Sequence, residues 1–203
     1  ISENSALYRK HPDWCISCPG REPSVCRNQL VLDMSRVEVV DYVYSVIAAL
    51  LDNANIEYLK WDMNRPLCDV YSPSLPADRQ GEVPHRYMLG VYDLLERLNK
   101  NYPNLLIEGC ASGGGRFDAG MLYYEPQIWC SDNSDPSERI YIQYNTSFAY
   151  PISTVSAHIS PSPNHANGRA TPLKARATVA MTGSFGYELD VGALSNEEKQ
   201  EIK

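Results

Sequence analysis

The chain has 203 residues, 43% hydrophobic and 21% charged, with 14 Tyr, 14 Pro and 12 Gly, a make-up that fits a globular protein and excludes fibrous, disordered and low-complexity classes. Its formal net charge of −7 argues against nucleic acid as a partner, because gripping phosphates needs clustered Lys and Arg, and favours a neutral or cationic small ligand. Apolar runs such as Val46 to Leu51 fall far short of the ~20 residues that cross a membrane, and no basic, apolar leader opens the sequence, so a soluble protein without membrane contact is expected, cytoplasmic by default with export left open.

Residues Ile1 to Arg27 read as loop, rich in Ser, Pro and Gly and without a periodic apolar face. Leu30-Val31-Leu32 is short and β-like, Asp33 or Ser35 can cap a helix, and Val37 to Leu51 repeats apolar residues at three- and four-residue spacing. The apolar run Ile56 to Leu59 predicts a strand that delivers Lys60, Trp61, Asp62, Asn64 and Arg65 into a turn closed by Pro66. After a Pro/Ser/Asp loop, Tyr87 to Leu98 is a second amphipathic helix, with Leu89, Tyr92, Leu95 and Leu98 facing inward. Leu105 to Ile107 and Gln127 to Cys130 are further strands; the first ends in Glu108-Gly109-Cys110-Ala111-Ser112-Gly113-Gly114-Gly115-Arg116, the second in Ser131-Asp132-Asn133-Ser134-Asp135-Pro136. Ser134 to Ala149 reads as a helix with Ile140, Tyr144 and Ser147 on one side. Ile152 to Val155 and Val179 to Thr182 read as two more strands, the last followed by Gly183-Ser184-Phe185-Gly186.

Strands that alternate with helices or long loops favour a parallel sheet with right-handed crossovers. A doubly wound sheet concentrates its ligand loops at one switch point, whereas here polar residues end nearly every strand, as in a (β/α)8 barrel of the TIM type. Such a barrel takes about 250 residues and more strands than are visible here, so the chain is expected to hold only part of one.

Asp62 and Asp132 each follow a β-run and a Trp at what would be one barrel rim. Two carboxylates across a cleft are what glycosidic-bond cleavage needs, one protonating the leaving oxygen and the other attacking or stabilising an oxocarbenium-like carbon. Trp61 and Trp129 offer apolar faces to a sugar, while Lys60, Asn64 and Arg65 offer donors to its hydroxyls. Either aspartate could instead cap the helix that follows, an alternative strongest at Asp132, where Asn133, Ser134 and Asp135 are all competent caps. Gly113-Gly114-Gly115 could cradle a phosphate, but without a GxxxxGK[ST] or GxGxxG pattern a tight turn bringing backbone close to a ligand or neighbouring strand is the commoner case. Cys15 and Cys18 have CxxC spacing with His11 nearby, which leaves a zinc site or an ordinary reduced pair open; no second CxxC or HxxxH supplies the remaining ligands. His85, His158 and His165 are scattered, and no metal or cofactor is expected.

Three runs, Lys60-Trp61-Asp62-Met63-Asn64-Arg65, Glu108 to Asp118 and Trp129 to Asp135, closely resemble the catalytic core of the family 36 α-galactosidases. Leu7 to Trp14, Arg27 to Asp33, Tyr144 to Ser147 and Phe185 to Asp190 resemble the same family in the same order. The resemblance implies a retaining exo-glycosidase that takes terminal α-linked galactose from raffinose-type oligosaccharides and other galactosides, through a covalent galactosyl-aspartate. It implies Asp62 as nucleophile and Asp132 as general acid/base, with Lys60 and Asn64 on galactose hydroxyls, Arg27 beside the nucleophile, and Cys110, Ser112, Gly113 and Trp129 lining the pocket. Cys26 and Ser112 stand where the family often has Gly. The resemblance further implies residues 1–203 as one partial catalytic barrel domain, roughly from after strand 3 to strand 8, with an N-terminal β-sandwich, the first barrel strands and a C-terminal β-domain lying outside it. It also implies a homo-oligomeric parent, and it leaves room for galactosyl transfer of the raffinose-synthase type or for an incomplete sugar-binding fragment.

Overall fold

The computed structural model describes residues 1–203. In chain order its elements are α1 (Ala6–Lys10), α2 (Val37–Asn53), β1 (Tyr58–Asp62), α3 (Val83–Asn101), β2 (Leu106–Cys110), α4 (Ala119–Tyr124), β3 (Gln127–Trp129), α5 (Pro136–Thr146), β4 (Val155–Ile159), α6 (Leu173–Ala180), β5 (Ser184–Tyr187) and α7 (Asn196–Glu201). They divide into two compact units, residues 1–57 with 64–105, and residues 58–63 with 106–203.

The first unit is built on α2 and α3. The expected cap of α2 is absent: Arg36 is the N-cap residue, and Asp33 instead accepts from the Ser35 N–H (3.1 Å) and from the Ser35 and Ser72 hydroxyls. Helix α3 begins four residues earlier than its apolar period suggests, because Pro84 suits a first turn whose N–H groups have no intrahelical partner anyway. Tyr87, Val91, Leu94, Leu95 and Leu98 are buried, while Leu89 is 52% exposed and lies off the inward face. A Cβ on Gly90 would lie 1.7 Å from the Met34 carbonyl oxygen, so only glycine lets α3 approach that turn. Arg97 joins the two helices, reaching Asp41 at 2.5 Å and Asp93 at 2.6 Å. Leu30 to Leu32 forms no full strand and leaves only a single antiparallel bridge between Cys15 and Leu32.

The second unit is an α/β sheet of five strands, all parallel, in the order β1-β2-β3-β4-β5. Spatial order that follows chain order without reversal is the winding of a (β/α)8 barrel and not of a doubly wound sheet. Most strands sit later than their apolar runs: β1 extends through Asp62 and β2 through Cys110, and Ile152 to Thr154 is a 3₁₀ turn that precedes β4. Val179 to Thr182 is not a strand; it closes α6 and turns into β5, a short apolar run being ambiguous between the two states. Successive side chains alternate between sheet faces. One face carries Ile107, Ile128, Val155, Ala157 and Ile159, all 2% exposed or less, each contributing about 1 to 3 kcal/mol by burial. Leu173 and Ala180 of α6 pack against Ile159.

Helix α5 turns its polar side inward. Ile140 and Tyr144 are 55% and 62% exposed, whereas Arg139 and Gln143 are buried. The polar side faces in because it has carbonyls to satisfy: Gln143 donates to Val179 O (3.2 Å) and the Thr182 hydroxyl (2.6 Å), and Arg139 to strand-end carbonyls described below.

At the end of α4, Glu125 is 1% exposed and neither of its carboxyl oxygens has a hydrogen-bond partner. Its Oε2 lies 2.1 Å from where a Cβ on Gly109 would stand, so any larger residue there would force the carboxyl to shift. Burial pushes this carboxyl up to about 7, opposed by the charge of Arg116. Below its ordinary range Glu125 is protonated folded or unfolded; above that range the unfolded chain ionises first, so stability falls until the folded group also ionises near 7. Glu125→Gln is therefore expected to raise Tm relative to the parent at pH 7 to 8, by an amount that shrinks toward pH 4.5, as thermal melts across that window would record.

Candidate active site

The other face of the sheet is polar. Tyr58, Lys60 and Asp62 of β1, Glu108 and Cys110 of β2, Gln127 and Trp129 of β3, and Ser156 and His158 of β4 share it by the pairing register, Lys60 opposite Glu108 and Asp62 opposite Cys110. This two-residue polar period is what turns the sheet from a mere core into a site, and it brings five predicted residues together: Lys60, Asp62, Cys110, Trp129 and, through its contact with Trp129, Asp132. Trp61 falls on the opposite face by the same alternation and offers nothing to a ligand at Asp62.

Glu108 is the hub of this face. It is fully buried, accepts from the Tyr58 hydroxyl and from Gln127 Nε2 (2.9 Å), and has Lys60 Nζ at 3.4 Å and His158 Nε2 at 3.6 Å. A buried carboxylate is tolerated only with such company. Burial and the bond to Glu108 together push the Tyr58 hydroxyl well above its ordinary range, and burial holds His158 below its own, so both stay neutral near pH 7. Lys60 also lies 4.8 Å from the centroid of the Trp129 ring, on which His158 stacks at 4.9 Å. The ammonium of Lys60 is thus fixed between an anion and a π face, two residues before Asp62.

Asp62 ends β1 with its side chain open to solvent. The Cys110 thiol, 4% exposed, donates to it and accepts from the Gly113 N–H; burial pushes this thiol up to about 11, so it remains a donor. Asp132, also exposed, accepts from Trp129 Nε1 at 3.2 Å. It does not cap the next helix. Asp135 does, accepting from Glu138 N–H at 3.3 Å, with Pro136 opening α5. The capping alternative for Asp132 is thereby removed, and both carboxylates are left at strand ends with groups that orient but do not cover them.

The glycine run serves the site by packing. Ser112 and Gly113 have left-handed backbones (φ 52° and 85°), and a Cβ on Gly113 would lie 2.9 Å from Ser131 Cα and 3.1 Å from Asp132 N. Gly114 donates its N–H to Cys130 O at 3.1 Å, and a Cβ there would meet the same oxygen at 2.9 Å. With the Gly114 N–H spent on Cys130 O and the Gly113 N–H on the Cys110 thiol, the run is no phosphate cradle; it instead seats the β2 loop against the loop that carries Asp132.

Arg27 and Asn64 lie in the first unit. Arg27 occupies the first central position of a two-residue turn in which Cys26 and Gln29 exchange backbone bonds of 3.2 and 3.0 Å. Both Arg27 (φ 53°) and Asn28 (φ 59°) are left-handed, a turn normally filled by Asn-Gly, and the arginine there costs about 1 to 2 kcal/mol. Arg65 is not a free donor for sugar hydroxyls. Its Nη1 holds Gln29 O (2.5 Å) and Ser24 O (2.8 Å), either side of that turn.

All six cysteines are free, Cys15 is buried with its thiol pushed up to about 11 by that burial, and no group of three His, Cys, Asp or Glu side chains is placed to hold a metal ion. His11 stacks on Trp14 at 4.0 Å, while His85 and His165 are exposed. No helix is long and apolar enough to cross a membrane.

The sequence profile described as Melibiase matches residues 1–203. The chain is 54% identical over 203 residues to alpha-galactosidase AgaA of Geobacillus stearothermophilus, covering 100% of this chain and 28% of that protein. It is 56% identical over 203 residues to the bifunctional alpha-galactosidase/sucrose kinase AgaSK of Mediterraneibacter gnavus, covering 100% of this chain and 21% of that protein. The crystal structure of the Geobacillus enzyme superposes with a TM-score of 0.96 at 53% identity, again over 100% of this chain and 28% of that one. Variants of that enzyme have been solved with raffinose and with stachyose. The chain thus spans less than a third of the length of these relatives.

Proposed function

This chain belongs to the melibiase family, and on that premise we propose that it carries the catalytic centre of a retaining exo-α-galactosidase acting on raffinose-type oligosaccharides. The observation that carries the reading is the placement of Asp62 at the end of β1 on the polar sheet face and of Asp132 in the loop just beyond β3, bonded by Trp129 of the same face, each oriented by a buried neighbour and neither spent as a helix cap. Asp62 attacks the anomeric carbon while Asp132 gives its proton to the departing glycosidic oxygen. Asp132 then takes a proton from water, whose oxygen attacks the same carbon and releases Asp62. Two inversions at one carbon leave its configuration retained.

Lys60, held by Glu108 and Trp129, donates to a galactose hydroxyl; Cys110, Ser112, Gly113 and Trp129 line the pocket; the family resemblance assigns Asn64 and Arg27 to the sugar as well. The sugar complexes of the Geobacillus enzyme support the substrate class. The aspartates replaced in its raffinose and stachyose complexes are separated by the same number of residues as Asp62 and Asp132, which supports the pair. The intact protein is taken to act as a homo-oligomer, as family members often do.

Raffinose hydrolysis by the full-length protein, followed by proton NMR in the first minutes, tests the reading. α-Galactose should appear first and mutarotate to β. β-Galactose first would overturn retention, and galactosylated sugar with little free galactose would reassign the chain to transfer.

A further inference from the structure

The geometry points to Arg139 as a positioning residue for Asp132, an inference that rests on the acid/base role proposed above. Arg139 sits in the first turn of α5 and is 2% exposed. Its guanidinium reaches back to each of the three residues before Asp132. The guanidinium carbon lies 4.3 Å from the Trp129 ring centroid, and Nη1 donates to Cys130 Sγ at 2.9 Å and to Ser131 O at 3.3 Å. Nη2 donates to Ser156 O at 2.6 Å, which ties the same segment to β4.

Burying a guanidinium is unfavourable unless its donors are used. Here they are used on a π face, a thiol and two carbonyls, all at the end of β3 or on its neighbour. Only a rigid planar fork can do this at once; lysine, with one nitrogen, reaches part of the set. Trp129, under the guanidinium, is the residue whose indole N–H holds the Asp132 carboxyl. Arg139 therefore fixes the ring and the backbone from which Asp132 hangs, without touching the sugar.

Arg116 supplies the contrast. Its Nη2 donates to Cys110 O at 2.8 Å and Trp61 O at 3.4 Å, so it braces the ends of β1 and β2 that carry Asp62 and Cys110. Loss of that brace should slow all substrates alike, because every substrate needs the nucleophile.

Loss of Arg139 should not act evenly, because only a poor leaving group needs its proton. In the full-length protein, Arg139→Met is expected to lower kcat/KM for raffinose by about 100-fold, within the range of general acid catalysis, and for 2,4-dinitrophenyl α-galactoside by under about 5-fold. Arg139→Lys should show the same split in weaker form, and it carries the comparison if the Met variant does not fold. Asp132→Ala and Arg116→Met are run beside them. Equal losses on both substrates in the Arg139 variants, with the split intact in Asp132→Ala, would show that Arg139 is only structural and overturn the inference. Absence of the split in Asp132→Ala would remove the acid/base reading itself, and the inference with it.

Discussion

Asp62→Ala is expected to lower kcat/KM on galactosides by about 10⁴-fold or more, the scale on which an enzyme loses a covalent nucleophile, whatever the leaving group. The fold should survive, since Asp62 ends β1 exposed and its pairing to Cys110 is through backbone. Removing the side chain also leaves a small space beside the Cys110 thiol. Azide is expected to enter it and attack an activated aryl α-galactoside from the face Asp62 used, giving β-galactosyl azide in a single inversion. Turnover near the parent's level without azide would end the nucleophile assignment.

Asp132→Ala is expected to divide substrates by leaving group. Raffinose, whose departing alkoxide needs a proton, should lose about 10²- to 10⁴-fold, while a dinitrophenyl galactoside should lose little in kcat/KM. With the aryl substrate the slow step becomes water attack on the galactosyl-enzyme, so kcat and KM should fall together and a burst of phenolate should precede the steady state. Azide here should give the α-galactosyl adduct, by two inversions. A uniform loss with no burst would count against the acid/base role.

These contrasts rest on side chains that differ in how plainly they can be read along the chain. Asp62 and Asp132 stand out because each follows an apolar run and a tryptophan. Glu108 does not, because Leu105 to Ile107 looks like the whole strand and Glu108 like the first residue beyond it. The strand in fact runs to Cys110, and this places Glu108 inside the polar face with Lys60 and Gln127. The available signal was a polar residue at every second position, Tyr58-Lys60-Asp62, Glu108-Cys110 and Ser156-His158, which the eye drawn to apolar runs passes over.

Arg139 was harder still. An arginine in an amphipathic helix is ordinarily solvated, and Ile140 and Tyr144 make the opposite side of α5 look like the core face. Only the arrangement of strand-end carbonyls around the helix explains why the polar side turned inward. The same holds for Gly113, whose need for glycine comes from Ser131 and Asp132, distant in sequence and 2.9 to 3.1 Å away from where its Cβ would be.

By itself the sequence determined the alternation of strands and helices, hence the parallel α/β sheet, and the two aspartates with their neighbours, because local period and motif are properties of contiguous residues. Tertiary structure alone decided where each strand stopped, which tryptophan shares a face with Asp62, which aspartate caps α5 and which strand-end carbonyls Arg139 and Arg116 meet. Those depend on the face a residue shares and the carbonyls it meets, and both are set by strands brought side by side from distant parts of the chain.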